Sequence, residues 1–295
     1  MKVLNMGSLN LDYVYSVSHM VEKGETLSSH DMQIFCGGKG LNQSIALAKA
    51  GAEVYHAGNF GDDGEILKTT CEKYKVNTKY MKQLNAKSGH AIIQVDNNAD
   101  NCILLYGGTN QMFTKEYIDE VLADFESDDI LLLQNEINEM SYIIETAYKK
   151  GMKIVLNPSP FNEALQECDL TKISCFILNE IEGNQMCGNK DNENVLEGLH
   201  AQFPEAQIVL TLGSEGVQYI DATEFYEQSI YKVKAVDTTA AGDTFTGYFI
   251  AGLVEALPIP QSLERCAKAS AITVSRNGAA EAIPTLQEVV RLKKQ

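Results

Sequence analysis

The feature that most constrains the fold of this chain is an alternation of short apolar runs with amphipathic helical stretches. The runs with the length and composition of strands are VLNMG, VYHAGNFG, DDILLLQNE, KIVLNPSP, CFILNEIE, AQIVLTLG and a shorter VKAV. ILLL and IVL are apolar on both faces, as strands in the middle of a parallel sheet are. The pattern predicts an α/β domain with helices on both faces of a mainly parallel sheet.

Two segments interrupt this alternation. Residues 13–35 and 89–108 have strand-like composition without a helix between the runs, and DNNADN is a turn signal. We predict that they form one small antiparallel sheet, which would act as a lid beside a ligand cleft or as an ordinary β-insertion. Residues 1–12, 36–88 and 109–295 would form the large domain. Exposed apolar strands on the small sheet also favour a homodimer formed through the lid.

Charge and composition exclude several classes of partner. The chain has 24 Lys and Arg against 40 Asp and Glu, a net charge of −16, which repels nucleic acid and anionic membrane surfaces. No run reaches the ~18 apolar residues of a membrane span, and the N-terminus does not resemble a signal peptide. Seven scattered cysteines without a CxxC pair are typical of reduced thiols. These features predict a cytosolic protein without a nucleic-acid or membrane partner.

The stretch VDTTAAGDTF joins small residues to the start of an apolar helix. A helix that begins near Ala241 puts Asp243 in its first turn, beside N–H groups without an intrahelical acceptor. The small residues Ala240, Ala241 and Gly242 leave these amides open to an anion. Asp243 then either stabilises the helix dipole or accepts a proton from an attacking hydroxyl while the amides stabilise the transferred group.

A glycine-rich segment, CGGKGLNQS, precedes another predicted helix. It matches neither GxxxxGK[ST] nor GxGxxG. Gly38 and Gly40 would let the backbone approach a polar ligand, Lys39 adds a cation, and Asn42 offers a donor and an acceptor. An ordinary turn is the alternative.

Three further polar segments follow predicted strands. Asn10 and Asp12 in GSLNLD suit a polyhydroxylated ligand or an Asx turn. Asn179 and Glu182 in ILNEIEG could hold the hydration shell of Mg²⁺ or cap a helix. TLGSEG, residues 211–216, is a glycine-punctuated loop of the kind that contacts ligands in α/β proteins. We expect the carboxyl edge of the sheet to gather these segments.

In this order and spacing the segments resemble the ribokinase-like family of sugar kinases. GSLNLD, GGKGLNQ, FGDDG, LNPSP, the N-x-x-E pair, TLGSEGV and DTTAAGDTF span nearly the whole chain. The resemblance implies a nine-stranded α/β domain with a four-stranded lid. It also implies transfer of the γ-phosphoryl group of ATP to the primary 5-hydroxyl of a furanose, with D-ribose as the expected substrate. Another sugar or nucleoside kinase of the family is the alternative.

The resemblance implies roles for individual residues. Those implied for the sugar are Asn10, Asp12, Gly38, Lys39, Gly40, Asn42, Glu136 and Asp243. Asp243 would be the general base, and residues 240–242 would form the anion hole. Those implied for the nucleotide are Asn179, Thr211, Gly213, Ser214, Glu215, Gly216 and Gly242. Glu182 would support Mg²⁺, and the residues implied for an activating K⁺ are Asp237, Thr239, Thr273, Arg276, Gly278 and Ala282.

Two positions depart from the family pattern, and two other classes of function remain as hypotheses. Ala282 lacks a hydroxyl often found there, and Ala267 stands where a polar residue often approaches the adenine. A non-catalytic sugar sensor is disfavoured because Asp243 and Lys39 are both present. A dinucleotide-dependent oxidoreductase is disfavoured because GxGxxG is absent after the first strand.

Overall fold

The structure is a computed structural model that describes residues 1–98, 100–188 and 195–292. Its strands are β1 (Val3–Met6), β2 (Asn10–Ser16), β3 (Asp31–Gly37), β4 (Val54–Phe60), β5 (Asn77–Gln83), β6 (Gly89–Val95), β7 (Asn101–Tyr106), β8 (Ile130–Gln134), β9 (Lys153–Asn157), β10 (Cys175–Asn179), β11 (Gln207–Thr211), β12 (Val217–Ile220) and β13 (Phe225–Gln228). Its α-helices are α1 (Lys39–Lys49), α2 (Glu65–Lys73), α3 (Lys115–Ala123), α4 (Met140–Lys150), α5 (Glu163–Gln166), α6 (Glu180–Met186), α7 (Val195–Gln202), α8 (Ala241–Val254), α9 (Ile259–Val274) and α10 (Leu286–Arg291).

Nine strands in the described part of the chain form the main sheet, in the order β13-β12-β11-β10-β9-β8-β1-β4-β5. The seven strands from β11 to β5 pair in parallel, whereas β12 and β13 form an antiparallel hairpin at one edge. Parallel neighbours need crossover connections, which the helices supply. The predicted fold, a mainly parallel sheet flanked by helices, is confirmed.

The core lies on both faces of this sheet because successive side chains of a strand point to opposite faces. In β1, Val3 belongs to a hydrophobic cluster on one face that includes residues of α1, α8 and α9, and Leu4 belongs to a second cluster on the other face that includes residues of α3, α4 and α7. Both side chains are fully buried. None of the described helices has both the length and the apolar character that a membrane crossing requires.

Four strands form the small sheet, in the order β3-β2-β6-β7. The pairs β2–β3 and β6–β7 are antiparallel, and the inner strands β2 and β6 run parallel to each other. β2 begins at Asn10, earlier than the range 13–35 predicted for the lid, so Asn10 and Asp12 belong to this sheet. Strand β7 exposes an unbroken apolar run, with Leu104 at 68% and Leu105 at 61% exposure.

Some predicted elements differ from the structure. The sequence predicts VKAV as a strand, but residues 233–236 do not belong to a strand. Their backbone pairing is limited to Val236 N–H, which donates to Val274 O. The apolar run CFILNEIE ends as a strand at Asn179 because this side chain caps α6. The polar edge strand β5, the hairpin β12–β13 and helix α3 had no predicted counterpart. Of the helix predicted near 192–202, residues 192–194 lie outside the described residues.

The crossing of α1 and α8 brings two functional segments together. A Cβ built on Gly247 of α8 would lie 2.4 Å from Ala46 Cβ and 2.8 Å from the backbone N of Leu47 in α1. The two helices therefore approach each other through a glycine. This close approach places the first turns of α1 and α8 side by side.

We predict that Gly247→Ala destabilises the protein by roughly 1–3 kcal/mol, because the added methyl group overpacks against the backbone of α1. The same change in an open helical position would stabilise by about 0.5–1 kcal/mol. Gly242→Ala in the same helix is the matched control for stability, since a Cβ there meets nothing within 4 Å. Denaturant unfolding measures both variants, and a stabilised Gly247→Ala protein would contradict the close packing.

Candidate active site

The predicted polar segments converge on the carboxyl edge of the main sheet. Asn157, Asn179 and Thr211 are the last residues of β9, β10 and β11, and Glu136 lies two residues beyond the end of β8. Because parallel strands end at one edge, their terminal side chains face a common crevice. The expected convergence is confirmed.

Asp243 lies in the first turn of α8, as predicted. Ala240, just before the helix, has a left-handed conformation (φ 59°) that non-glycine residues rarely adopt. The N–H of Ala241 donates to Thr238 O at 3.3 Å and that of Thr244 donates to Ala240 O at 2.8 Å. Among the described residues, the N–H groups of Gly242 and Asp243 have no backbone acceptor. These two amides are available to an anion at the positive end of the helix dipole.

Two side-chain amides hold the Asp243 carboxylate. Asn42 Nδ2 donates to Oδ2 at 3.0 Å, and Gln43 Nε2 donates to Oδ1 at 2.9 Å. Asp243 is only 9% exposed. Sequence reasoning selected Asn42 but missed Gln43. The available signal was spacing, since Asn42 and Gln43 lie three and four residues after Lys39 and so share one face of α1.

Lys39 lies in the first turn of α1 among acidic groups. Its burial by itself lowers the pKa, but the carboxylates of Asp243, Glu136 and Glu182 together raise the pKa above its ordinary value. No ion pair ties up its ammonium group within the described ranges. The site therefore contains a permanent cation that is available to an anionic ligand.

The glycine-rich segment is shaped by its protein neighbours. Gly38 has a φ of 93°, which favours glycine. A Cβ on Gly40 would lie 2.4 Å from the backbone N of Ser8, and one on Gly37 would lie 1.9 Å from Asp12 Oδ2. The sequence predicts that Gly40 makes room for a ligand. In the structure, the space left by its missing side chain is taken by the β1–β2 connection, which corrects this expectation. This packing is what brings Asp12 next to the start of α1.

Hydroxyl-binding groups cluster beside Asp243. Glu136 Oε2 accepts hydrogen bonds from Ser8 Oγ and from Lys39 N, the latter at 3.0 Å. Asn10 Oδ1 accepts from Asn110 Nδ2 at 2.7 Å, which orients the Asn10 amide. Burial and, secondarily, the charge of Glu136 raise the pKa of Asp12 to about 7. Burial also raises the pKa of Glu136. Ionising these two buried carboxyl groups costs free energy when no ligand is bound to them. They therefore favour a ligand that donates hydrogen bonds.

Two contiguous cavities extend from Asp243 along the sheet edge. The first, about 260 Å³, is polar and includes Lys39, Asp243 and Glu182. The second, about 570 Å³, is mainly apolar and extends toward α9, where Ala267 and Val274 form part of its wall. The residues common to both are Asn179, Thr211, Thr238, Ala241 and Gly242. The cleft thus has a charged end and an apolar end, as an elongated ligand with a charged tail and an aromatic head requires.

The TLGSEG loop contributes to the apolar cavity. Gly213, Ser214 and Gly216 line it together with Thr211. Glu215 is exposed and lies outside both cavity linings. Of the residues implied for the nucleotide, Glu215 is therefore the one that the structure does not bring to the cleft.

Asn179 and Glu182 form a capping box at the start of α6. Asn179 Oδ1 accepts from Glu182 N at 2.9 Å, and Glu182 Oε2 accepts from Asn179 N at 3.1 Å. The helix-cap alternative for this motif is therefore correct as a structural description. Glu182 also lines the polar cavity with 6% exposure, so its second carboxylate oxygen can still serve a ligand there.

The segments predicted for a monovalent cation meet behind the start of α8. Asp237 Oδ1 accepts from Thr239 N and Oδ2 from Gly278 N, each at 2.9 Å. Burial alone would raise the pKa of Asp237, but these hydrogen bonds hold it below its ordinary value. Arg276 Nη1 donates to Ala282 O at 3.5 Å. The buried hydroxyl of Thr273 bonds to Thr244 Oγ1 at 3.0 Å and so links α9 to α8. Within the described residues there is no cluster of three or more His, Cys, Asp or Glu side chains suited to a metal ion.

Comparison with known proteins identifies the family. A family model described as pfkB family carbohydrate kinase matches residues 2–286. The chain belongs to this family of carbohydrate kinases. The resemblance predicted from the motifs is confirmed.

Individual members of the family are similar over their whole length. The chain is 34% identical to a ribokinase of Staphylococcus aureus (strain COL), over 98% of each chain. Ribokinase from Cryptococcus neoformans var. grubii serotype A in complex with ADP has a TM-score of 0.85 and 32% identity, covering 98% of each chain. Arabidopsis thaliana ribokinase complexed with ribose and ATP has a TM-score of 0.85 and 26% identity, covering 98% of this chain and 97% of that one.

We predict that the Tm difference between Asp12→Asn and the wild type depends on pH. The difference should be more favourable to the variant at pH 8 than at pH 5, by several degrees. The folded pKa of Asp12, about 7, lies above its ordinary value of 3.8. The stability contributed by the protonated carboxyl is therefore present below about pH 4 and is lost as the pH rises through about 7. Asparagine does not titrate, so its advantage grows over this interval. Thermal unfolding at both pH values measures the effect.

Asp31→Asn on the exposed end of β3 is the matched control and should give the same change in Tm at pH 5 and pH 8. An Asp12→Asn difference that does not depend on pH would contradict the burial of an ionisable Asp12.

Proposed function

We propose that this carbohydrate kinase transfers the γ-phosphoryl group of ATP to the primary 5-hydroxyl of D-ribose, forming D-ribose 5-phosphate and ADP. One observation carries the proposal. The Asp243 carboxylate lies between a cluster of hydroxyl-binding groups and the unpaired N–H groups at the start of α8. Similarity to ribokinases over the whole chain, including one complexed with ribose and ATP, supports the choice of substrates.

Asp243 would act as the general base. As the 5-hydroxyl oxygen forms its bond to the γ-phosphorus, the carboxylate takes the hydroxyl proton and the bond from phosphorus to the leaving ADP oxygen breaks. The N–H groups of Gly242 and Asp243 would stabilise negative charge on the transferred group, in the role implied for residues 240–242. Lys39 would supply a positive charge at the same end of the cleft. Phosphoryl transfer depends mainly on positioning and charge, which these residues provide.

The sugar would bind between the small sheet and the start of α1. Asp12, Glu136 and Asn10 offer acceptors for its hydroxyls, and Asn42 offers a donor already oriented by Asp243. A carboxylate can accept two hydroxyl protons, so these groups suit a furanose with vicinal hydroxyls. Gly38 and Gly40 would contribute by holding the β1–β2 connection against α1.

ATP would occupy the two cavities, with its phosphates at the Lys39 end. The apolar cavity beside α9 would take the base, and Asn179, Thr211, Gly213, Ser214 and Gly216 would contact the nucleotide between the two ends. The cavity wall at Ala267 is apolar, so it offers the base no side-chain hydrogen bond at that point. Glu215 would act only through the conformation of its loop.

The residues present fit both cations. Glu182 is the one carboxylate besides the proposed base Asp243 among the described residues that line the polar cavity, which suits an Mg²⁺ ion held mainly by phosphate oxygens and water. When bound, Mg²⁺ supplies positive charge that neutralises the phosphate oxygens. K⁺ would be held by Asp237, whose pKa is held low by its hydrogen bonds, and by backbone carbonyls at Thr239, Thr273, Arg276, Gly278 and Ala282. Ala282 could contribute only its carbonyl.

The small sheet would serve as a lid and as the dimer contact of a cytosolic enzyme. Its edge strand β7 exposes Ile103, Leu104, Leu105 and Tyr106. Such a strand in water invites pairing with the same sheet of a second copy. A pair of lids would then cover both sugar sites.

We predict that Leu104→Lys converts a dimer into a monomer in sedimentation velocity experiments, because it places a charge in the apolar contact. Val290→Lys on α10 is the matched control and should remain dimeric, although Val290 is equally exposed at 72%. A wild-type chain that sediments as a monomer, or a dimeric Leu104→Lys variant, would contradict the contact through the lid.

We predict that the wild-type protein consumes MgATP when D-ribose and K⁺ are supplied, and that Asp243→Asn lowers kcat by about 10³-fold or more. Ribose binding should remain detectable by calorimetry because asparagine keeps the shape of the side chain. Coupled measurement of ADP release gives kcat for both proteins.

The same assay separates the alternatives. Turnover with 2-deoxyribose, a hexose or a nucleoside but not with ribose would show that the enzyme acts on another substrate of the same kinase family. Binding of ribose without any turnover would favour a sugar sensor. An active Asp243→Asn enzyme would remove Asp243 from the role of base.

A further inference from the structure

We infer that Gln43 is a positioning residue for the Asp243 carboxylate and that Gln134 fixes the direction in which the Gln43 amide points. The inference deepens the proposed function and rests on it, since it explains how the general base is oriented. Gln43 and Gln134 are both fully buried and lie beneath Asp243, away from the cleft. Neither residue lines the two cavities.

Every polar atom of the Gln43 amide is engaged. Nε2 donates to Asp243 Oδ1 at 2.9 Å and to Asn157 Oδ1 at 3.0 Å, and Oε1 accepts from Gln134 Nε2 at 2.7 Å. The reverse orientation of the amide would place its oxygen against two acceptor oxygens and its NH₂ against a donor. The surrounding groups therefore enforce one direction, in which NH₂ faces the carboxylate.

Gln134 is held in turn by a second buried amide. Its Nε2 also donates to Asn5 Oδ1 at 3.0 Å, and Asn5 Nδ2 donates to Gly40 O at 2.7 Å and to Ser44 Oγ at 2.8 Å. The chain of amides thus starts on the backbone of α1 and ends on Asp243. Gly40 O accepts from the NH₂ group of Asn5, so the oxygen of Asn5 faces Gln134 and accepts from its NH₂ group. The NH₂ group of Gln134 therefore faces Gln43 as well, and the oxygen of Gln43 must accept from it.

The burial of Gln43 distinguishes positioning from substrate binding. Asn42 contacts the other carboxylate oxygen, Oδ2, and keeps 6% exposure, whereas Gln43 is not exposed at all. With both donors present, the plane of the carboxylate is fixed. With Asn42 alone, the carboxylate can turn about its last torsion, which has a broad energy profile. A displacement of about 1 Å at the reacting atom can cost roughly 100-fold in rate.

Gln43→Met and Gln134→Met, made singly and together, test the inference. Methionine keeps the length of the side chain and removes its hydrogen bonds. We expect Gln43→Met to lower kcat by about 10- to 100-fold, with KM for sugar and for ATP within threefold of wild type. Gln134→Met should lower kcat by a smaller factor. Because Gln134 acts through Gln43, the double variant should be no slower than Gln43→Met.

Gln207→Met is the matched control. Gln207 is the first residue of β11 and so lies at the amino ends of the parallel strands, opposite to the site. Its Nε2 donates to Tyr219 Oη at 2.8 Å, so this variant loses an amide hydrogen bond without touching the site. Its kcat should stay within twofold of wild type. The melting temperatures of all four variants show whether the loss of kcat follows the loss of stability. A merely structural role of Gln43 would require that it does.

Three kinetic results would overturn the inference. They are a kcat within twofold of wild type in Gln43→Met, a rise in sugar KM that matches the fall in kcat, and independent, multiplicative effects of the two substitutions. A crystal structure of the Gln134→Met variant gives a readout without turnover. The inference expects the Asp243 carboxylate to be rotated there, and an unchanged carboxylate would contradict it.

Failure of the proposed function would look different. It would appear in the wild-type enzyme, as turnover of another acceptor or of none. The kcat values of the Gln43 and Gln134 variants would then be compared with the phosphoryl acceptor that the wild-type enzyme uses. The crystal structure of the Gln134→Met variant would test the inference whether or not an acceptor is found.

Discussion

The site depends on one contact, the pair of hydrogen bonds that joins the first turn of α1 to the carboxylate of Asp243 in the first turn of α8. Asn42 and Gln43 supply the donors, and both helices must start at nearly the same place for the bonds to form. The glycine crossing at Gly247 brings the two helices close enough. The proposed general base is thus fixed by helix packing rather than by a flexible loop.

This arrangement also explains how a chain of net charge −16 can accept a polyanion. The cleft does not rely on a basic surface. It offers backbone N–H groups at the start of α8 and a single lysine whose pKa is raised by surrounding carboxylates. Burial is the main cause that raises the pKa of Asp12 and Glu136, and nearby carboxylates add to it, so keeping both groups ionised in the proposed sugar site costs free energy that a hydrogen-bond-donating ligand offsets.

Much of this could be predicted from the sequence. The strand runs and the position of Asp243 in the first turn of a helix followed from periodicity and from the rule that helix N-termini leave N–H groups unpaired. Glu182 was ambiguous because a cap and a cation ligand need the same spacing. Gln43 could have been found from its spacing, since it shares the face of α1 that carries Lys39 and Asn42. Gln134 and Asn5 could not be found in this way, because their importance arises from contacts between strands and helices far apart in the chain. VKAV failed as a strand because composition alone does not show whether a neighbouring strand is present.

A crystal structure of the complex with D-ribose and a non-hydrolysable ATP analogue tests the central claim most directly. The account predicts that the 5-hydroxyl lies about 2.6–3.2 Å from an oxygen of Asp243. The γ-phosphate should face the N–H groups of Gly242 and Asp243. A 5-hydroxyl bound away from Asp243, or a γ-phosphate at the apolar end of the cleft, would contradict it.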